Sequence, residues 1–196
     1  MATFTYLGSI LSEDGRCEKE IRTRIGMAKA NFGKMRNLLT NLSLDAQLRL
    51  RILECYIWSG LLYGCESWTL SADMKKKLKA AEMWFLRRMW RVPWTARRTN
   101  QEVLEMANTS RSLITIMRKR QLKYIGHVLR GQSLEKDCLL GMVEGSRARG
   151  RQRMKYMDGL KTLLGCESIE KVARLAEGRE DWRKIVAHVN EDTALR

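Results

Sequence analysis

A chain of 196 residues with 44% apolar side chains is long enough to bury a core, which excludes a disordered tail. Five cysteines at the irregular positions 17, 55, 65, 138 and 166 exclude a secreted disulfide framework, and no apolar run nears the roughly 20 residues of a membrane span. A soluble protein in a reducing, intracellular compartment is expected, with no membrane partner, and a net charge of +15 points to a polyanion.

Taken in chain order, Phe4, Tyr6, Ile10 and Leu11 around Leu7 and Gly8, followed by Glu13-Asp14-Gly15, predict a strand or small hairpin. From Arg16 the apolar residues Ile21, Ile25, Ala28, Phe32, Met35 and Leu39 recur at four and three, the stripe of a long helix whose other face is Lys, Arg and Asn. Ser43 can cap a second helix, with Leu44, Leu48, Ile52, Leu53, Tyr56 and Ile57 as its apolar face. Ser71 can cap a third, with Leu78, Ala81, Phe85, Met89 and Val92 inward until Pro93 breaks the period. Thr99 and Glu102 have capping-box spacing for a short fourth helix through Met106. A fifth runs from about Arg111 to Arg130 with Leu113, Met117, Tyr124, Ile125 and Val128 inside.

Gly141 to Gly150, with three glycines and alternating arginines from Gly145 on, reads as a flexible basic loop, after which Arg151 to Leu164 resumes helical spacing. Ser168 begins a further short helix, and Trp182, Ile185, Val186 and Val189 form a last apolar stripe in net acidic surroundings. The predicted architecture is all-α with a short N-terminal β hairpin (1–15), a helical bundle (16–98) and a small basic helical domain (99–196).

The charge is clustered. Trp84 to Arg98 carries five bases and no acid, and Arg111 to Lys155 carries twelve bases against three acids, so these two blocks hold nearly all of the excess. The candidate phosphate contacts are Arg87, Arg88, Arg91, Arg97 and Arg98 in the first block. In the second they are Arg118, Lys119, Arg120, Lys123, Arg147, Arg149, Arg151 and Arg153. Trp84 or Trp90 among these arginines can stack on unpaired bases if exposed, or simply fill the core; Trp182 reads as structural. Arg147 to Arg153 suit multivalent phosphate contact or an ordinary solvated loop. His127, Cys138, Cys166 and His188 are too scattered for tetrahedral zinc, and neither a metal nor a cofactor is expected.

Several strings follow one another along the chain: Phe4-Thr-Tyr-Leu-Gly-Ser-Ile-Leu11, Leu61-Leu-Tyr-Gly-Cys-Glu-Ser-Trp68, Gly126-His-Val-Leu-Arg130, Arg147-Ala-Arg-Gly-Arg-Gln-Arg153 and Trp182-Arg183. In this order and spacing the chain resembles the C-terminal part of non-LTR (LINE-type) retrotransposon reverse transcriptases, over nearly its whole length. The resemblance implies that Phe4, Tyr6, Leu7 and Gly8 correspond to the primer-grip hairpin and the helices that follow to the thumb. It also implies RNA or DNA partners, as template-primer or element RNA, alongside the remainder of the parent enzyme. Nuclear residence would suit such an element.

Polymerase chemistry needs carboxylates converging on two divalent metals, and the family supplies them from a palm motif ending in Asp-Asp. No Asp-Asp pair exists in this chain. Tyr156-Met157-Asp158 has one acid, lies on a predicted helix and follows the primer-grip string instead of preceding it, so it is not read as catalytic. The catalytic palm would precede residue 1, and no enzymatic activity is expected. The rival reading is a helical protein-interaction module, or a retrotransposon-derived reading frame without function.

Overall fold

The computed structural model describes residues 3–13, 15–110, 112–142 and 155–189. Among them the chain is helical apart from one two-stranded antiparallel hairpin, in agreement with the predicted class. The hairpin is β1 (Thr3–Tyr6) and β2 (Ser9–Ser12). Helices α1 (Glu18–Lys34), α2 (Arg36–Leu39), α3 (Ala46–Ile52), α4 (Ser59–Leu61), α5 (Ala72–Met89) and α6 (Asn100–Met106) follow. Then come α7 (Leu113–Arg130), α8 (Leu134–Leu140), α9 (Tyr156–Leu164), α10 (Ile169–Glu177) and α11 (Arg179–His188). None of the described helices is long and apolar enough to cross a membrane.

The chain divides into two compact units, Met1–Gly64 with Ser71–Ile114, and Cys65–Leu70 with Thr115–Arg196. Two side chains account for this division. Glu82 on α5 accepts hydrogen bonds from the backbone N–H of Ser112 (2.7 Å) and Leu113 (2.9 Å), tying the start of α7 into the first unit. The buried Gln121 amide donates to the carbonyls of Cys65 (3.1 Å) and Trp68 (2.8 Å), which holds that short segment in the second unit.

In the first unit β1 pairs with β2 in the register Phe4 to Leu11 and Tyr6 to Ser9. Leu7 (φ 47°) and Gly8 (φ 77°) both sit in the left-handed region, the geometry of a two-residue primed turn, so Gly8 is placed by turn chemistry. The hairpin is bolted to α1 by a buried charge pair. Arg24 Nε reaches Glu20 Oε1 at 2.7 Å, Glu20 Oε2 accepts from the Ile10 N–H at 2.7 Å, and Arg24 also donates to the Gly8 carbonyl. Both charges are satisfied, which burial requires. Tyr63 donates its hydroxyl to the Leu7 carbonyl (3.0 Å) while Arg24 covers its ring at 4.6 Å.

The predicted stripe is buried at Ile21, Ala28 and Phe32 of α1 and at Leu39 of α2, the long helix expected there being broken at Met35, and the Ser71 and Thr99–Glu102 caps form as the spacing predicts. The cap at Ser43 does not form. Asp45 caps α3 instead, accepting from Leu48 N at 3.0 Å, while Ser43 turns to Asn41. The predicted apolar face of this helix is also only partly right, since Leu48 and Tyr56 are exposed and Leu53, Ile57, Trp58, Leu61 and Leu62 are buried. Leu53–Trp58 form a π-helical turn between α3 and α4.

The second unit closes its core on Leu122, Ile125 and Leu129 of α7, Met157 and Leu160 of α9, Val172 of α10 and Trp182 and Val186 of α11. Helix α8 was not anticipated from the sequence. Tyr124, expected inside, is 40% exposed.

Candidate nucleic-acid interface

Trp84, Arg87 and Arg88 are spaced i, i+3 and i+4, so the end of α5 presents them on one face, and Arg91 follows two residues past the end of that helix. Lys29 and Arg36, from α1 and α2, flank the buried stripe of Phe32 and line the other wall. Between the walls lies a groove of about 860 Å³ lined by five cations and no carboxylate. Among the described residues none of the five takes part in a salt bridge. Unpaired cations crowded around a groove raise the local positive potential and favour an anionic occupant.

Trp84 is half-buried at the groove wall, edge-on to Phe32 at 5.8 Å, with Lys29 Nζ 4.9 Å and Arg88 Cζ 4.3 Å from its ring centre. Trp94 is 85% exposed, and Arg87 Cζ lies 5.8 Å from its ring. A tryptophan so exposed beside arginines is the side chain best placed to stack on an unpaired base. Trp90 is half-buried under Arg49, whose guanidinium donates to the Met89 carbonyl at 2.9 Å, and serves the fold.

The backbone at the groove is strained in an informative place. Helix α5 ends in a Schellman motif: Val92 N donates to the Arg87 carbonyl (2.8 Å) and Arg91 N to the Arg88 carbonyl (3.2 Å). The left-handed position of that motif, usually glycine, is Arg91 at φ 53°. A non-glycine residue there costs on the order of 1 kcal/mol. Arg91 Nε is held by the Thr40 carbonyl at 3.0 Å, aiming its side chain along the groove.

The predicted contacts therefore separate. Arg87, Arg88 and Arg91 meet in the groove, although Arg87 also donates to the Arg98 carbonyl (2.8 Å) and Asn100 Oδ1 (3.1 Å), which shapes the turn carrying Trp94. Arg97, at φ 47°, and Arg98 are exposed on that turn and outside the groove lining. Lys29 and Arg36 were not singled out from the sequence. Their signal was present, as cations flanking an apolar stripe, but nothing local tied them to α5.

In the second unit Arg118 is a correction: it is buried, donates to Gln121 Oε1 at 2.8 Å, and burial pushes its guanidinium below the ordinary range. It supports the clasp on Cys65 and Trp68 and is not at the surface. Lys119 and Arg120 are half-buried, and Lys123 is exposed. Arg147, Arg149, Arg151 and Arg153 lie outside the described residues.

Of the hairpin residues, Phe4, Tyr6 and Leu7 are exposed and Gly8 forms the turn. In the Tyr156-Met157-Asp158 string Met157 is core, and the Tyr156 hydroxyl donates to the Glu66 carbonyl at 2.6 Å. The Lys155 N–H and Lys161 hold the Asp158 carboxyl below its ordinary range. All three side chains have structural partners. Burial pushes the Cys65 thiol up to about 12, so it is inert at neutral pH. Among the described residues no three His, Cys, Asp or Glu side chains are grouped to hold a metal ion.

Over 194 residues, 93% of this chain, the sequence is 22% identical to a Caenorhabditis elegans protein described only as transposon-derived, covering 69% of that protein. No family model matches the chain. No solved structure matches it either.

Proposed function

We propose that this chain is transposon-derived and binds nucleic acid, as the primer-grip, thumb and terminal helical part of a LINE-type reverse transcriptase. In this reading it positions template-primer or element RNA, and a catalytic palm elsewhere performs synthesis. The observation that carries the proposal is the groove of Lys29, Arg36, Arg87, Arg88 and Arg91, with no acid in its lining and Trp84 and Trp94 beside it. The similarity to a transposon-derived protein along 93% of the chain supports the origin, and the ordered strings support the finer assignment.

The groove can neutralise phosphates and stack bases, but it has no carboxylate to bind a catalytic metal. Primer extension by the isolated chain is accordingly expected to be nil with Mg²⁺ or Mn²⁺. The direct test is fluorescence anisotropy with single-stranded RNA at several salt concentrations, on the wild type and a Lys29→Gln, Arg36→Gln, Arg88→Gln triple variant. If all three contact phosphates, the log affinity against log salt slope becomes shallower by about 2, from about 0.7 per contact on single strands. An unchanged slope in a folded variant removes the groove from the proposal.

A second reading has one observation in its favour. Phe4, Tyr6, Leu7 and Leu11 are all exposed on the hairpin, an apolar surface suited to protein contact. A hairpin variant with serine at these four positions would keep its RNA affinity if protein contact is its only role.

A further inference from the structure

We propose that the second unit carries its own binding site for the phosphodiester backbone of nucleic acid, a cleft in which Lys123 and Arg130 of α7 face Arg179 and Arg183 of α11. The site goes beyond the reading above, because none of its residues lies in the first unit and the groove there can fail without it.

The cleft has a volume of about 330 Å³ and is lined by these four cations with Trp182 and Val186 at its base. Lys123 and Arg130 are two helical turns apart on one face of α7, and Arg179 and Arg183 are one turn apart on α11. The spacing of the two helices is fixed from beneath. Trp182 donates its indole N–H to the Leu122 carbonyl at 2.9 Å, and its ring lies directly over Gly126. A Cβ on residue 126 would sit 2.1 Å from Trp182 Nε1, so only glycine permits this approach.

The consequence is that Gly126, Arg130, Trp182 and Arg183, from two strings some fifty residues apart, form one structure. The pair Gly126–Trp182 sets the walls and the pair Arg130–Arg183 charges them.

Four positive charges without compensation repel one another, and the cleft shows it. Its lining contains no carboxylate, and among the described residues neither Lys123, Arg179 nor Arg183 has an ion-pair partner. Of the two acids between Arg179 and Arg183, Asp181 is engaged by Lys184 at 2.9 Å, and Glu180 is outside the cleft lining. Arg130 is half-buried and donates one nitrogen to the Ala176 carbonyl at 2.8 Å, leaving the rest of its fork available. Burial first, and then Arg179 and Arg183 beside it, push its guanidinium below the ordinary range. An anion placed among the four relieves that repulsion.

The chemistry of the lining selects the anion. Planar guanidinium forks match phosphate oxygens in pairs. Trp182 and Val186 are buried, so the cleft offers no exposed aromatic face for a base. Binding there should be blind to base identity and to strandedness.

The test uses the full chain and a labelled base-free deoxyribose-phosphate 12-mer, which has phosphates and nothing to stack. An Arg179→Gln, Arg183→Gln variant with an unchanged thermal melt should bind this probe about tenfold more weakly. Its salt slope should be shallower by about 1.4, two contacts at about 0.7 each. Unchanged affinity and slope overturn the site, as does displacement of the probe by polyglutamate of equal charge at equal concentration, which would make the partner an acidic polypeptide. Should the double variant unfold, Lys123→Gln, on an exposed side chain, gives the same reading at half the slope change. The first-unit triple variant is the control: if it alone is silent the groove fails and the cleft stands, and if the cleft variant alone is silent the reverse holds.

Discussion

Both units set a tryptophan among arginines, and they use it in opposite ways. In the first, Trp94 projects 85% exposed from the turn after α5 and Trp84 stays half-open at the wall of the groove. In the second, Trp182 is 2% exposed, with its indole N–H consumed by a backbone carbonyl and arginines arrayed above it. What differs is the facing helix. Opposite Trp182 stands Gly126, which lets the indole sink to the backbone of α7, whereas no such gap receives Trp94. One surface thus presents exposed indole beside its arginines, the other arginines alone.

The comparison breaks most severely if the indole of the second unit is removed. Trp182→Ala deletes a fully buried aromatic and should destabilise that unit by about 3–5 kcal/mol. Hydrogen exchange would locate the damage: amides of α7, α9 and α11 should lose protection while those of α1 and the first half of α5 keep theirs. Equal loss in both units would mean that they do not unfold separately.

Next in size is Gly126→Ala. An alanine in mid-helix ordinarily gains about 1 kcal/mol over glycine. Here its methyl would meet Trp182 Nε1 at 2.1 Å, so the indole must leave its seat and give up its hydrogen bond. Overpacking of this kind costs about 1–3 kcal/mol and the lost bond about 1 more, so the helix gain is outweighed. A melting temperature at or above wild type would show that α11 can shift without penalty.

On the first unit the corresponding deletion should leave the fold alone. Trp94→Ala removes a side chain that buries almost nothing, so the thermal melt should not move. Affinity for single-stranded RNA should fall by about 1–3 kcal/mol if a base stacks there, and affinity for the base-free oligomer should stay constant. Equal losses on both probes would reduce Trp94 to a prop for Arg87.

What the sequence made legible and what it did not divide along the same physical line. The Ser71 cap, the Thr99–Glu102 capping box and, of the inward set, Leu78, Ala81, Phe85 and Met89 depend on neighbours within four residues and are found, while Val92 lies past the end of α5 and is half-buried. The failures need distant partners. Arg118 is buried because Gln121 and the carbonyls of Cys65 and Trp68 meet it in space. Leu48 on α3 and Tyr56 in the π-helical turn are exposed, while the buried positions Arg49, Leu53 and Ile57 follow each other at four. Lys29 and Arg36 complete a groove whose other wall is some fifty residues away. In the Trp182 segment, the net acidic count concealed a basic cleft, because Asp181 and Lys184 pair off while Arg179 and Arg183 join α7 residues.

The smallest expected effect is the most discriminating. Arg91 holds a left-handed backbone position that glycine would occupy without strain, at a cost on the order of 1 kcal/mol. Arg91→Gly relieves that strain but removes the hydrogen bond from Nε to the Thr40 carbonyl, itself about 1 kcal/mol, so stability should change by no more than about 0.5 kcal/mol. A residue retained for folding alone would then be silent in every assay. If Arg91 is there to meet phosphate, the same variant should bind single-stranded RNA several-fold more weakly and its salt slope should fall by about 0.7, with no change in the melt. Stability and binding would be uncoupled at one position, and unchanged binding would leave the strain at the end of α5 without a functional reason.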